Sequence, residues 1–305
     1  RQLGNQHAIA GRIPQARDCF EASRSIFQEV GDRFDEMKIL SSLSILSSQD
    51  FQYGQALEYG QAALRISREV GARLIEASTL NNHGAVLGAC GDYEGARASY
   101  ARALDIVRET GDRGLEVGLL FNLAETESAM GGHERALHYM DQLLPIMHEM
   151  GDRVGEAYAL AFQAVAYDGL GQHAKAASIF QTAIEQLREV GATPDAMAAI
   201  SELARVRLAQ GDLAGALAHV EEVLDHLETS GPEGIPELLM VYLNCYRVLQ
   251  AAGDLRAGSI LDTAYEHLQE NAAKIDDERL RRSYLENVTT HREIVEAYER
   301  RDGTE

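Results

Sequence analysis

Ten histidines, three cysteines and 48 carboxylates give this 305-residue chain groups enough for catalysis or metal binding, so their spacing decides whether either is built. The nearest approach to a metal motif is His133-Glu134-Arg135-Ala136-Leu137-His138. Its histidines are five apart, which on a helix turns the second about 140° from the first, whereas a spacing of four is needed to face one metal. No GxGxxG, Walker loop, GxSxG or aspartate-rich calcium loop occurs in the sequence. Cys19, Cys90 and Cys245 lie far apart, form no CxxC pair and have no histidine placed to complete a zinc site; they read as buried free thiols in a reducing compartment. The other histidines are scattered, as surface or interhelix residues are. The sequence therefore predicts no catalytic centre, metal site or cofactor, and an enzyme with an unfamiliar site is the remote alternative.

Charge narrows the partners. Twenty-eight Lys and Arg against 48 Asp and Glu leave a formal charge of -20, a field that repels phosphate backbones and anionic lipid. No basic stripe is present to neutralise phosphates, so no nucleic-acid partner is expected. A basic segment of a protein or peptide is the easiest partner to attract. No apolar run approaches the ~20 residues of a membrane span, and the first residues lack a basic start followed by an apolar stretch. A cytoplasmic protein is the expectation.

The elements that position these side chains follow from an internal repeat. Gly31, Gly71, Gly111, Gly151, Gly191 and Gly231 fall at intervals of forty, in phase with Ala16, Ala56, Ala96, Ala136, Ala176 and Ala216. Leu40, Leu80, Leu120, Leu160 and Ile200 form a third column, and Phe20, Gly60, Tyr100, Met140, Phe180 and Val220 a fourth. From Tyr93, the residues Ala96, Tyr100, Ala103, Leu104 and Val107 follow at spacings of three and four, giving one apolar stripe on a helix. Gly111-Asp112-Arg113 then stops it: glycine suits the left-handed residue that ends a helix, and the aspartate can cap the next. Each forty-residue unit is thus helix, tight turn, helix, tight turn. Pairs this small cannot bury an apolar face alone and must stack. Arg33, Arg73, Arg113 and Arg153 stand three residues before Glu36, Glu76, Glu116 and Glu156, the spacing of helical ion pairs.

These columns resemble the tetratricopeptide repeat (TPR) signature. Its small residue in the first helix falls on Gly4, Ser44, Gly84, Ala124, Ala164 and Ala204, preceded by leucine at Leu3, Leu43, Leu123 and Leu203. The common unit has 34 residues and usually closes with proline; this one has forty and carries Gln28, Arg68, Arg108, His148 and Arg188 there. The longer form is similar to the arrays of kinesin light chains and G-protein-signalling adaptors, and to the sensor arrays of bacterial signal-transducing (STAND-type) ATPases and transcription regulators.

That resemblance implies an all-α fold: a right-handed α-solenoid of about seven TPR helix pairs, the first partial, with a C-terminal capping helix. The units are expected at about 1–30, 31–70, 71–110, 111–150, 151–190, 191–230 and 231–275, the last with two extra residues near Gly231-Pro232-Glu233, and the cap and tail at 276–305 as one helix over about 276–300. Arg1 falls inside a helix without a capping residue, so the chain is expected to be part of something longer, with self-association through the truncated first unit as one consequence.

TPR arrays line a concave groove with the first helix of each pair. Residues there that packing does not claim are Lys38, Ser41 and Ser42 in the second unit, and Asn81 and Asn82 in the third. Further along come Phe121, Asn122 and Glu125, then Tyr158, Phe162 and Asp168, and Arg205. Asn82 and Asn122, forty apart, either hold a peptide's main chain or satisfy turns and water; Phe121, Tyr158 and Phe162 either line the groove or join the core. Lys38 and Arg205 stand too far apart for a carboxylate clamp. The resemblance implies a protein-interaction scaffold, expected as the sensor or regulatory part of a larger signalling protein, with a free-standing adaptor as the alternative.

Overall fold

The computed structural model describes residues 2–303, and among them there is no strand. Seven antiparallel helix pairs follow one another: α1 (Gln2–Ile9) with α2 (Ile13–Val30), α3 (Arg33–Gln49) with α4 (Tyr53–Glu69), α5 (Arg73–Ala89) with α6 (Tyr93–Thr110), and α7 (Arg113–Ala129) with α8 (His133–Met150). The series continues with α9 (Arg153–Gly169) and α10 (His173–Glu189), α11 (Thr193–Ala209) and α12 (Leu213–Ser230), and α13 (Leu238–Ala252) and α14 (Arg256–Ala273). The first helix of each pair is its A helix and the second its B helix.

The turns obey the chemistry expected of them. Gly31, Gly111 and Gly151 end their helices with φ of 71°, 78° and 68°, the left-handed region a side chain resists. Asp32, Asp92, Asp112, Asp152 and Asp212 each accept from a main-chain amide three residues on, capping the helix that follows. Inside the pairs, the alanine column from Ala16 to Ala216 is 0–2% exposed. Bulk on one helix meets a deficit on the other. A methyl group on Gly4 would lie 2.6 Å from the Phe20 ring, and one on Gly84 would lie 2.7 Å from Tyr100.

The joint between pairs replaces the missing proline with a polar clamp. Gln28 and Arg68 near the end of one B helix reach forward to Glu36 and Glu76 on the next A helix at 2.8 and 2.9 Å, as Arg108 does to Glu116 at 3.3 Å and His148 to Glu156 at 3.4 Å. The expected pairs Arg33–Glu36 and Arg73–Glu76 form, at 2.6 and 3.2 Å, and the same arginines also reach Glu69 and Glu109, both at 2.7 Å. Arg153 bonds Glu189 at 3.1 Å by the same pattern. Glu76 is the most heavily held: Arg68, Arg73 and Arg102 converge on it, and although burial alone would raise its pKa, the arginines more than offset this and hold the carboxyl below its usual range.

Two compact units divide the chain, residues 1–122 with 271–288 and residues 123–270 with 289–305. The tail differs from the single expected helix: it is broken at Asn287-Val288 into α15 (Glu278–Glu286) and α16 (Thr289–Asp302). The reason lies in what each half packs against. Tyr284 of α15 joins Phe51 and Tyr53 in the first unit, whereas α16 stacks Tyr298 on Tyr265 of α14 and pairs Glu293 with Arg247 of α13 in the second.

Candidate functional site

The sequence-derived positions lie on A helices. On the first unit, Lys38 of α3 is not free: its ammonium bonds Asp35 at 2.9 Å and sits 4.0 Å above the Phe34 ring. Ser42 donates to the Lys38 carbonyl, and Ser41 shares a hydrogen bond with Thr79 of α5 at 3.1 Å. Across α5 and α7, Asn122 donates to Asn81 at 2.9 Å. The amides therefore meet as Asn81 with Asn122, while the half-buried Asn82 has no side-chain hydrogen-bond partner among the described residues. Phe121 is half-buried beside them.

On the second unit the charged side chains sort into a satisfied network and an unsatisfied pair. Asp168, buried near the end of α9, accepts from Arg205 of α11 at 2.6 Å and lies 2.6 Å from His173 of α10. Arg205 also binds Glu202 at 2.8 Å, and Asn244 of α13 donates to Glu202 at 3.0 Å. Burial works against the Arg205 charge, but Glu202 and Asp168 outweigh it and push its pKa up, so this arginine stays charged. Asp168 and Arg205 thus hold one another, tying three A and B helices together.

Glu125 and Glu237 have no such compensation. Neither side chain has a hydrogen-bond or ion-pair partner among the described residues. Glu125 reaches solvent, yet protein surrounds it closely enough that desolvation, with the Glu237 charge second, pushes its carboxyl up to about 7. Glu237 also reaches solvent, yet desolvation by the surrounding protein and the Glu202 charge raise its pKa, and it sits in the left-handed region at φ 50°, just before α13. Burial, Glu125 and Glu237 together raise the Tyr158 phenol, whose ring packs 5.2 Å from Phe162. Tyr158 and Phe162 are half-buried and form an aromatic pair beside these carboxylates.

Sequence reading passed over Glu202, Asn244 and Glu237. The first had a signal: Glu202 stands forty residues after Phe162 and eighty after Asn122 in one column. Asn244 continues that column two residues late, displaced by the insertion near Gly231, and Glu237 belongs to the insertion itself, where the period gives no guide. Among the described residues no group of His, Cys, Asp and Glu could hold a metal ion, and no helix is long and apolar enough to cross a membrane.

Stacked antiparallel helix pairs with a forty-residue period, small residues at the crossings and polar side chains left over on the A helices define an α-helical repeat array. The sequence matches the tetratricopeptide repeat family over residues 1–69, 75–149 and 116–189, and the chain belongs to that family. No curated protein matches it. Among solved structures it is similar to a STAND protein with a tetratricopeptide repeat sensor from Pyrococcus horikoshii, at 18% identity and a TM-score of 0.67, covering 93% of this chain and 43% of that one. It is also similar to a Rap protein complexed with competence and sporulation factor (15% identity, TM-score 0.60, 89% of this chain and 80% of that one). NprR in complex with its cognate peptide NprX resembles it at 14% identity and a TM-score of 0.60, over 98% of this chain and 87% of that one. These likenesses establish the fold. The chain spans less than half the length of the STAND protein.

Proposed function

We propose that the chain is a non-catalytic interaction array that holds an extended protein or peptide segment along the concave face of its A helices, as the sensor or regulatory part of a larger signalling protein. The observation that carries this reading is the uncompensated pair Glu125 and Glu237 beside Tyr158. The buried carboxylates Glu36, Glu76, Glu127 and Asp168 all have cationic partners, whereas Glu125 and Glu237, which reach solvent, have none. The Glu237 charge disfavours ionisation of Glu125, and a lysine or arginine of a bound segment would offset it. The Asn81–Asn122 amides, with Asn82 beside them, suit a peptide main chain, a sequence-independent grip. The Rap and NprR relatives support the reading, since NprR is seen with its cognate peptide and the Rap protein with a factor, and the STAND relative carries its repeats as a sensor.

The test is binding of extended peptides differing only in charge. Cationic segments should bind best, and Glu125→Gln with Glu237→Gln should erase that preference. Replacing Asn81 and Asn122 by alanine should weaken every binder alike, by several-fold to roughly a hundredfold for two neutral hydrogen bonds of about 0.5 to 1.5 kcal/mol each. Peptides that bind regardless of charge and map to the B helices would refute the assignment.

A further inference from the structure

The turn from A to B helix has its own glycine column: Gly11, Gly91, Gly131, Gly171 and Gly211, all at positive φ. Phe51 occupies the remaining place in that column and keeps the left-handed conformation, at φ 59°, where a bulky side chain is strained. Such a departure calls for a compensating contact, and the structure supplies one from far along the chain. The edge of the Phe51 ring meets Tyr284 of α15 at 6.5 Å, Lys274 lies 5.0 Å from the same ring, and Gln52 donates to the Lys274 carbonyl at 2.8 Å. Tyr53 adds a second ring 6.4 Å from Tyr284.

The next turn of the column is specialised in the opposite sense. Ser283 donates to the Cys90 carbonyl at 2.5 Å, and a methyl group on Gly91 would lie 2.6 Å from the Asn287 Cβ, so this glycine clears the path of the tail. At Gly131, Gly171 and Gly211 the same position faces open space. One turn has thus gained an aromatic, and its neighbour admits no side chain, both toward the same segment.

The attachment is thin. Of nine residues in α15 only Leu280 and Tyr284, four apart, are buried. The bonds of Arg281 and Arg282 stay within the tail, to the Ile275 carbonyl and to Glu278. We propose that Phe51–Tyr53 and Cys90-Gly91 form a docking platform for a short amphipathic helix with an aromatic residue four places after a leucine, and that the chain fills it with its own α15 as a releasable intramolecular ligand. The platform lies on the A-to-B turns, apart from the A-helix face proposed to hold an extended segment, so the two proposals stand or fall separately. A tethered ligand needs few contacts because its effective concentration is high, which also makes it displaceable by a helix of the same pattern.

Hydrogen exchange on the full chain, with a synthetic peptide of residues 276–288 as probe, tests this. In Tyr284→Ala the amides of α15 and of Gly91-Asp92 should exchange at least tenfold faster while α11 and α12 keep their protection. Added peptide should bind this variant more tightly than the unaltered chain and restore protection at residues 51–53 and 90–92. Phe51→Gly, which relieves the left-handed strain while deleting the ring, should loosen α15 without loosening α3 or α4. The proposal is overturned if Tyr284→Ala unfolds α3 to α6 together with the tail, if α15 keeps its protection in Phe51→Gly, or if the peptide binds neither variant.

Discussion

Replacing Glu76 by alanine probes the clamp that joins successive pairs. Its carboxylate side chain is 3% exposed and takes arginine contacts at 2.9, 3.2 and 3.1 Å from Arg68, Arg73 and Arg102. Removing one partner of a fully buried pair costs about 3 to 5 kcal/mol because a charge is stranded. Here the arginines are 44–54% exposed and can turn to water, so each contact is closer to the ~0.2–1 kcal/mol of a surface pair. Three such contacts give about 2 kcal/mol. Glu156→Ala, which loses His148 alone from a carboxylate side chain 30% exposed, should cost about 0.3 kcal/mol. Repeat arrays need not unfold in one step, so the assay is native-state amide exchange in α5 and α9, read against each variant. The acid limb supplies a second check: the lowered Glu76 pKa gives stability that is present above the ordinary carboxylate range and is lost as pH falls through the folded-state value. Equal losses at Glu76 and Glu156, or an acid limb unchanged in Glu76→Ala, would refute the clamp.

Two further outcomes follow from single positions. Glu125 has a folded pKa of about 7 against 4.5 for an ordinary glutamate, so its cost to stability is absent below about 4.5 and has built up in full once pH has risen through about 7; Glu125→Gln should therefore match the unaltered chain at pH 4 and exceed it at pH 8, measured by urea unfolding at both, and parity at pH 8 would contradict the crowding. Alanine at Gly131 meets nothing within 4 Å and should cost only the left-handed penalty of about 1 to 2 kcal/mol, whereas at Gly91 it must also displace Asn287, adding about 1 to 3 kcal/mol; equal thermal shifts would mean the tail does not press on that turn.

The fold was legible because its information is periodic. Columns of glycine, alanine and large apolar residues each state one local rule, and the Asp after each turn glycine states another, so errors at one repeat are corrected by the next. Site residues carry the opposite property, since they are what remains when the period is subtracted. Asn122 lies on an A helix as its place in the period requires, but it bonds Asn81 rather than the Asn82 that matches it in phase. The hydrogen bond crosses between stacked helices, whose stagger a period cannot state. Asp168 and Arg205 were visible as leftovers, yet nothing in their spacing of 37 shows that they bond each other and so belong to the frame. Phe51 was not singled out by the sequence, because its break in the glycine column of the A-to-B turns gains meaning only from the tail, more than 220 residues away.

The same clamp that lengthens the repeat also grades its joints. The carboxylate side chains of Glu36, Glu76, Glu116 and Glu156 are 6, 3, 16 and 30% exposed, and their forward partners are Gln28, Arg68, Arg108 and His148. The first two joints thus close on an enclosed carboxylate, reinforced by Arg33 or by Arg73 and Arg102. The joint from α8 to α9 rests on a histidine that forms an ion pair only when protonated, at 3.4 Å and near the surface. A weaker joint opens at lower free energy, and regions that accommodate ligands are drawn from that end of the stability range. Tyr158 stands two residues beyond Glu156, on the helix this joint anchors. Of the four joints that this glutamate column closes, the one that opens α9 is the weakest, and α9 also carries the aromatic pair Tyr158 and Phe162, so a cation settling on Glu125 would act beside the loosest of these four.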